Sequence, residues 1–103
     1  MTFAVLYSAP ARADLLRLYE HLLDRATTIE ELDLAERAHE AIVTAVTSLQ
    51  RSPFIYRKAG ADSFVRELLI PFGNAGYVAL FEIQDASTVM ILAVRHQLED
   101  DYH

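Results

Sequence analysis

The chain of 103 residues contains no cysteine and no tryptophan, and it has only three glycines, three prolines and a single lysine. Without cysteine it can form no disulfide, thiolate metal site or cysteine nucleophile, which is typical of a protein kept in the reducing cytoplasm. No apolar run approaches the roughly 20 residues that a bilayer span needs, and the N-terminus lacks the features of a secretory signal. We therefore expect one cytoplasmic globular domain over residues 1–103, with no membrane association.

Negative charge dominates, with a formal net charge of −6, and it is unevenly distributed. Residues 1–50 carry 4 basic and 8 acidic side chains, whereas residues 51–98 carry 5 basic and 4 acidic ones. The last five residues add three acids. Because binding to phosphate backbones requires clustered Lys and Arg, we expect no direct sequence-specific contact with nucleic acid. Any local contact is expected in the stretch from Arg51 onward.

The first half of the chain predicts a strand followed by two helices. A β-type run over 3–7 stops at Ser8-Ala9-Pro10, and Pro10 suits the first turn of a helix that runs to about Arg25. Thr28-Ile29-Glu30-Glu31 matches a capping box and starts a second helix to about Gln50. The short break between the two apolar stripes predicts a helical hairpin.

The second half predicts three strands joined by turns too short for a crossover, and therefore antiparallel. These strands span 64–70, 77–83 and 89–94. The chain is thus an α+β protein of order β-α-α-β-β-β, with the helical hairpin packed on one face of a mainly antiparallel four-stranded sheet. Arg57 and Lys58 are expected in the loop before these strands.

In the last two strands, the side chains that point to one face of the sheet and those that point to the other are both apolar. This pattern predicts that both faces of the sheet are packed against other structure. In the first of these strands, one face carries Tyr77, Ala79, Phe81 and Ile83 and the other Val78 and Leu80. In the second, one face carries Val89, Ile91 and Ala93 and the other Met90, Leu92 and Val94. Two helices cover only one face. An exposed apolar face of that size usually binds protein, either a second copy of the chain or another partner.

The sequence carries no catalytic signature, phosphate-binding glycine loop or serine nucleophile elbow. One Glu-x-x-His pair, Glu36 and His39, has the spacing that di-metal helix bundles use, but those bundles need two such pairs and four helices. A solvated helix surface is therefore the favoured interpretation of Glu36 and His39, and likewise of His21. We expect neither a metal nor a cofactor.

One group of basic and aromatic residues is the candidate for contact with a target. Arginine with histidine and tyrosine can bind phosphate and move protons. The alternative is that Arg66 and Arg95 simply pair with acids on neighbouring strands, namely Glu67, Glu82 or Asp85. The candidate target-binding residues are Arg57, Lys58, Arg66, Arg95, His96, Tyr102 and His103.

The element order and three segments resemble the ParE/RelE toxin superfamily of type II toxin–antitoxin systems. These segments are Phe64-Val65-Arg66-Glu67-Leu68, the run from Tyr77 to Ile83, and the ending Ala93-Val94-Arg95-His96-Gln97. The resemblance covers essentially the whole chain and is closer to the ParE branch, the plasmid stabilisation proteins. It implies a cognate antitoxin that wraps an extended or helical segment around the toxin. ParE-like members poison DNA gyrase, whereas RelE-like members cut mRNA in the ribosome.

The sequence departs from the nuclease branch because it is acidic, has one lysine and ends in acids where a basic tail would hold RNA. We therefore expect a non-enzymatic gyrase inhibitor, although the same departures also fit a weakened toxin. The first alternative is a ribosome-dependent mRNA endonuclease. The second is a non-toxic homodimeric interaction module. In the nuclease alternative the catalytic groove residues are Arg66, Arg95, His96 and Tyr102.

Overall fold

The computed structural model describes residues 2–98, in which two helices pack on one face of a five-stranded sheet. The strand order is β1-β5-β4-β3-β2, with β1 parallel to β5 and the other pairs antiparallel. None of the described helices is long and apolar enough to cross a membrane. The elements are β1 Ala4–Tyr7, α1 Ala9–Arg25, α2 Ile29–Thr47, β2 Arg57–Lys58, β3 Val65–Ile70, β4 Tyr77–Asp85 and β5 Thr88–His96, with 3₁₀ turns at Ser48–Gln50 and Pro53–Ile55.

The predicted fold class is confirmed, but the predicted strand count is wrong by one. Arg57 and Lys58, expected in a loop, form β2 and pair with Glu67 and Arg66 of β3. A strand of two residues is too short to show an alternating pattern in sequence. It can be recognised only from its pairing with β3 in the structure. The helical hairpin lies where the apolar stripes placed it.

Ser8 begins α1 and also joins it to the sheet. Its hydroxyl oxygen accepts from the Ala11 backbone N–H at 3.1 Å, which caps the helix, and the hydroxyl donates to the Leu92 carbonyl at 3.2 Å. The Ser8 backbone N–H donates to the Ile91 carbonyl at 2.9 Å. One residue therefore satisfies a free helix N–H and sets the position of α1 along β5.

Thr28 caps α2 much as the capping box predicts. Its hydroxyl oxygen accepts from the Glu31 backbone N–H at 3.1 Å. The Glu31 carboxylate, however, accepts from the backbone N–H of Thr27 at 3.1 Å, one residue before the expected partner. The Thr27 backbone N–H and hydroxyl, bonded to the carboxylate, hold the pKa of Glu31 below its ordinary value.

The hydrophobic core lies between the helices and one face of the sheet. Phe81, Ile91 and Val89 are fully buried at its centre, opposite Val46 and Leu49. Other core residues are Ala11, Leu18, Ala38, Ile42, Leu68, Ile70, Tyr77, Ala79, Ile83 and Val94. The apolar stripes of both helices thus meet a single side of the sheet.

A β-bulge in β5 changes the two-faced pattern that strict alternation predicts. Leu80 pairs with Ala93 whereas Phe81 pairs with Ile91, so Leu92 is an extra residue. Val94 consequently joins the core, and Ala93 turns to the opposite face. The expected grouping of Ala93 with Ile91 is therefore wrong, because a bulge reverses every later side chain.

Asp14 on α1 closes the edge of β5 beyond the end of β1. β1 pairs with β5 only as far as Ile91, which leaves the later backbone groups of β5 without a strand on that side. The Asp14 side chain, only 4% exposed, accepts from the Val94 backbone N–H at 2.9 Å. A helix side chain thus replaces a strand as hydrogen-bond partner.

We expect Asp14→Ala to lower the free energy of unfolding by about 1–3 kcal/mol, because the buried Val94 N–H then loses its acceptor. Asp14→Asn, which retains an acceptor oxygen, should lose less. The matched control is Asp33→Ala, which breaks an exposed ion pair with Arg37 at 3.1 Å and should cost about 0–1 kcal/mol. Urea unfolding followed by circular dichroism measures all three, and equal losses for Asp14→Ala and Asp33→Ala would contradict the assignment.

Gly76 provides a second test of the fold, because it packs against the backbone that enters the β3–β4 turn. A Cβ at Gly76 would lie 2.1 Å from the Ile70 carbonyl oxygen, at a φ of +109°. Gly73 in the same turn has a φ of +60° and open space around its missing Cβ. We expect Gly76→Ala to cost about 1–3 kcal/mol more than Gly73→Ala in thermal or urea unfolding, because only the former adds a clash to strain. Similar stabilities would disprove the close approach.

Candidate functional site

The side of the sheet turned away from the helices, here called the open face, is not covered by either α-helix in residues 2–98. Leu6 and Leu69, at its two sides, are 48% and 46% exposed. Val78 and Ala93 near its centre are buried by their neighbours, so the face is less open than the apolar pattern predicted. The strand register assigns to it Leu6, Val65, Glu67, Leu69, Val78, Leu80, Glu82, Met90, Ala93 and Arg95.

Arg57 lies at the β2 side of the open face, where its charge is paired. Its Nε lies 3.0 Å from a carboxylate oxygen of Glu67, which is largely buried. Lys58, the next residue, pairs with Arg66 and therefore lies on the side of the sheet that faces the helices. The two neighbouring cations of β2 thus point to opposite faces.

Arg66 holds the loop before β3 against the sheet. Its guanidinium donates to the carbonyl oxygens of Ser63 at 2.9 Å, Phe54 at 2.9 Å and Tyr56 at 2.7 Å. It also lies over the Phe54 ring, 5.4 Å from the centroid. These bonds go to backbone carbonyls rather than to the acids weighed from sequence, and Glu67 instead pairs with Arg57.

Arg95 and His96 end β5 and point to opposite faces. Arg95 pairs with Val78 on the open face and donates to the carbonyls of His96 at 3.3 Å and Gln97 at 3.5 Å. The His96 ring meets Tyr77 edge-on, with centroids 5.5 Å apart, and its Nδ1 accepts from the Leu98 backbone N–H at 3.2 Å. His96 therefore belongs to the helix side of the sheet.

His96 borders a depression of about 610 Å³ beside α1, which also includes Arg17 and His21. Tyr77 lines the same depression, and burial raises the pKa of its phenol above the ordinary value, so it stays protonated at neutral pH. Both histidines thus face one shallow space at the end of the sheet. His21 is exposed on α1, as the sequence predicts, and it also borders this depression beside the end of β5.

The predicted target-binding residues are not brought together as one group. Arg57 and Arg95 share the open face, separated by two strands and thus by roughly 14 Å. Arg66, His96 and Lys58 lie on the other side of the sheet. Tyr102 and His103 lie outside the described residues. Strand alternation, which divides neighbouring cations between faces, is the physical reason for this separation.

Glu36 and His39, the Glu-x-x-His pair of α2, both contact Tyr19 of α1. Glu36 accepts a hydrogen bond from the Tyr19 hydroxyl, which raises the pKa of Tyr19. The Tyr19 ring meets His39 edge-on, with centroids 6.0 Å apart. Over residues 2–98 no group of three or more histidines and acids has the arrangement of a metal site. Contacts between the two helices thus involve both residues.

A cleft at the opposite end of the sheet, here called the aromatic cleft, is a feature that the sequence analysis missed. It has a volume of about 730 Å³ and is lined by Phe3, Phe54, Asp62, Phe64, Glu82, Ile83, Gln84, Asp85 and Ala86. Phe54 and Phe64 are each about half exposed, at 50% and 51%. The available signal was the presence of Phe54, outside every predicted helix and strand, and of Phe64 at the very start of a predicted strand.

Comparisons with known proteins match the chain to ParE and RelE toxins. Residues 5–101 match the sequence model of the ParE toxin of the type II toxin–antitoxin system parDE. The chain is 33% identical over 99 residues to Toxin RelE1 of Caulobacter vibrioides, covering 96% of this chain and 98% of that protein. Toxin RelE3 of the same organism is 33% identical over 89 residues, covering 86% and 88%.

A solved structure shares the fold. The chromosomal ParDE toxin–antitoxin system from P. aeruginosa contains a chain that superposes with a TM-score of 0.70 at 21% identity, covering 92% of this chain and 96% of that one. The two-helix, five-strand arrangement and the match along nearly the whole sequence support the same conclusion. The chain belongs to the ParE toxin family of type II toxin–antitoxin systems.

Proposed function

We propose that this toxin inhibits DNA gyrase in the cytoplasm by binding to it, without catalysis, and that a cognate antitoxin neutralises it. The observation that carries the proposal is the division of the basic residues between the two sides of the sheet. A binding inhibitor needs only a complementary surface. A nuclease needs cations and a proton-transfer group gathered around one phosphate.

The hydrogen bonds of Arg66 also favour a binding inhibitor over a nuclease. Its guanidinium donates to the backbone carbonyls of Phe54, Tyr56 and Ser63, which all precede β3, so using it on a phosphate would release these segments from β3. Arg57 is paired with Glu67, and the net charge of −6 opposes the approach of RNA. These features weaken a phosphate-binding groove but leave a protein-binding surface intact.

The open face is the proposed place of the antitoxin. It offers exposed apolar side chains at Leu6 and Leu69 around a buried centre, with Glu67, Glu82 and Arg95 among them. An apolar surface with interspersed charges is typical of a face that binds protein. A wrapped antitoxin segment would supply the cover that the helices do not give.

The names of the relatives favour a second candidate, a ribosome-dependent mRNA endonuclease. Two curated relatives at 33% identity are called RelE1 and RelE3. In this candidate Arg95 and His96 at the end of β5 would act with Arg66 and Tyr102. The third interpretation, a non-toxic homodimer, would use the open face for a second copy of the chain.

Toxicity and neutralisation provide the first test. We expect the induced protein to arrest growth and co-expression of the antitoxin from the neighbouring gene to restore it. Leu6→Glu and Leu69→Glu should remain toxic but escape rescue, since a buried charge opposes binding at the open face. Ile29→Glu, a change at a side chain that is 81% exposed on α2, is the matched control and should be rescued. Normal growth at confirmed expression would contradict the toxin proposal, and a stable dimer by light scattering would then favour the homodimer.

The target provides the second test. We expect the purified protein to block gyrase supercoiling or trap cleaved DNA and to leave ribosome-bound mRNA intact. Truncation after Gln97 removes three acids with Tyr102 and His103, and it should abolish inhibition while antitoxin binding persists if the tail contacts gyrase. Codon-specific mRNA cuts that disappear in Arg95→Ala, with supercoiling untouched, would instead establish the nuclease candidate.

A further inference from the structure

The aromatic cleft is built from phenyl rings held edge-to-face. The Phe54 ring lies 6.5 Å from that of Phe3 and 6.4 Å from that of Phe64, both in T-shaped contact. Ile83 contributes an aliphatic surface to the lining. Half-exposed phenyl rings around a space of about 730 Å³ make a concave apolar surface of the size that bulky side chains fill.

Three acids line the same cleft. Asp62 and Asp85 are fixed by local bonds, since Asp62 accepts from the Phe64 backbone N–H at 2.9 Å and Asp85 from the Ser87 backbone N–H at 2.8 Å. The Ser87 N–H and hydroxyl hold the pKa of Asp85 below its usual value, so it is anionic at neutral pH. Glu82 is the third acid.

The described residues that line the cleft include no basic side chain to balance these acids. Arg66 lies over the Phe54 ring, and its guanidinium donates to three backbone carbonyls. Within residues 2–98, the three acids of the cleft lining therefore outnumber this one neighbouring cation by two. Phenyl faces and carboxylates both attract cations, so the surface selects a ligand that is apolar and positively charged.

We infer that the aromatic cleft binds a segment of the antitoxin in which a lysine or arginine stands between bulky apolar side chains; this rests on the proposed function. Continuity with the open face identifies the occupant. Glu82 lines the cleft and also belongs to the open face, where it pairs with Val65 and Met90. An antitoxin chain that lies across the open face therefore reaches the cleft around the end of β4 without leaving the toxin surface. Its apolar side chains contact the phenyl rings and its cation meets the acids.

The first experiment removes the charge of the cleft while keeping its shape. The triple variant Asp62→Asn, Glu82→Gln, Asp85→Asn retains acceptor oxygens for the Phe64 and Ser87 N–H groups. The matched control, Glu20→Gln, Asp24→Asn, Glu40→Gln, changes the net charge equally at exposed positions of α1 and α2. Affinity for the antitoxin is measured by calorimetry at low and high salt, with thermal unfolding to verify that both variants fold.

We expect the cleft variant to bind the antitoxin about tenfold more weakly at low salt, with a smaller loss of affinity as salt rises, and the control to behave like the parent. Equal affinity and equal salt dependence for the cleft variant and the parent would overturn the inference. Equal weakening in both variants would assign the effect to net charge and would also overturn it.

A second experiment measures directly whether the antitoxin shields the cleft from solvent, and it leaves the three acids of the cleft unchanged. The chain has no tryptophan, so Phe54→Trp places a single indole in the cleft and preserves an aromatic ring beneath Arg66. Any tryptophan of the antitoxin is replaced by phenylalanine. We expect acrylamide quenching of the indole to fall several-fold on complex formation, because the bound segment shields it.

The two proposals fail in different ways. If the protein from the neighbouring gene does not bind the toxin at all, the proposed function and the cleft inference are both overturned. If it binds, and Leu6→Glu or Leu69→Glu weakens binding while the indole stays fully quenchable, only the cleft inference is overturned. Protection of the indole together with weakened binding of the triple variant supports the inference.

Discussion

The attachment of α1 to the edge of β5 is the constraint on which the rest of the structure depends. β5 is nine residues long, whereas its parallel neighbour β1 covers only its first half. The backbone groups of β5 beyond the end of β1 need other partners, and the Ser8 hydroxyl and the Asp14 carboxylate supply them to Leu92 and Val94. Because unpaired buried N–H groups are costly, this pairing sets the position of α1 along the sheet.

Once α1 is held there, the distribution of surfaces follows. α2 packs on α1 through the apolar stripes, so both helices bury the same side of the sheet, and the other side becomes the open face. The bulge adds a second effect, since it turns Val94 into the core and leaves Ala93 and Arg95 on the open face. The face of the sheet on which Arg95 and His96 lie is thus a consequence of the one extra residue at the bulge.

In this fold, residues that are neighbours in sequence lie on opposite faces of the sheet. Arg57 and Lys58 are neighbours but face opposite ways, as do Arg95 and His96. Meanwhile Phe3, Phe64 and Asp85, far apart in the chain, meet in the aromatic cleft. The surfaces of this protein therefore combine segments that are distant in sequence.

The sequence by itself determined the fold class, the helical hairpin, the capping residue Thr28 and the antiparallel order of the last three strands, because periodicity and caps are local. It also carried the family resemblance. Only the tertiary structure decided the pairing of Arg57–Lys58 as a strand, the bulge at Leu92 and the use of Arg66 on backbone carbonyls. Each of these depends on which distant backbone lies alongside, and the sequence pattern of one segment does not encode that partner. The candidate site was predicted as a single cluster because residue type is visible in sequence, whereas the face on which each side chain lies is set by strand register.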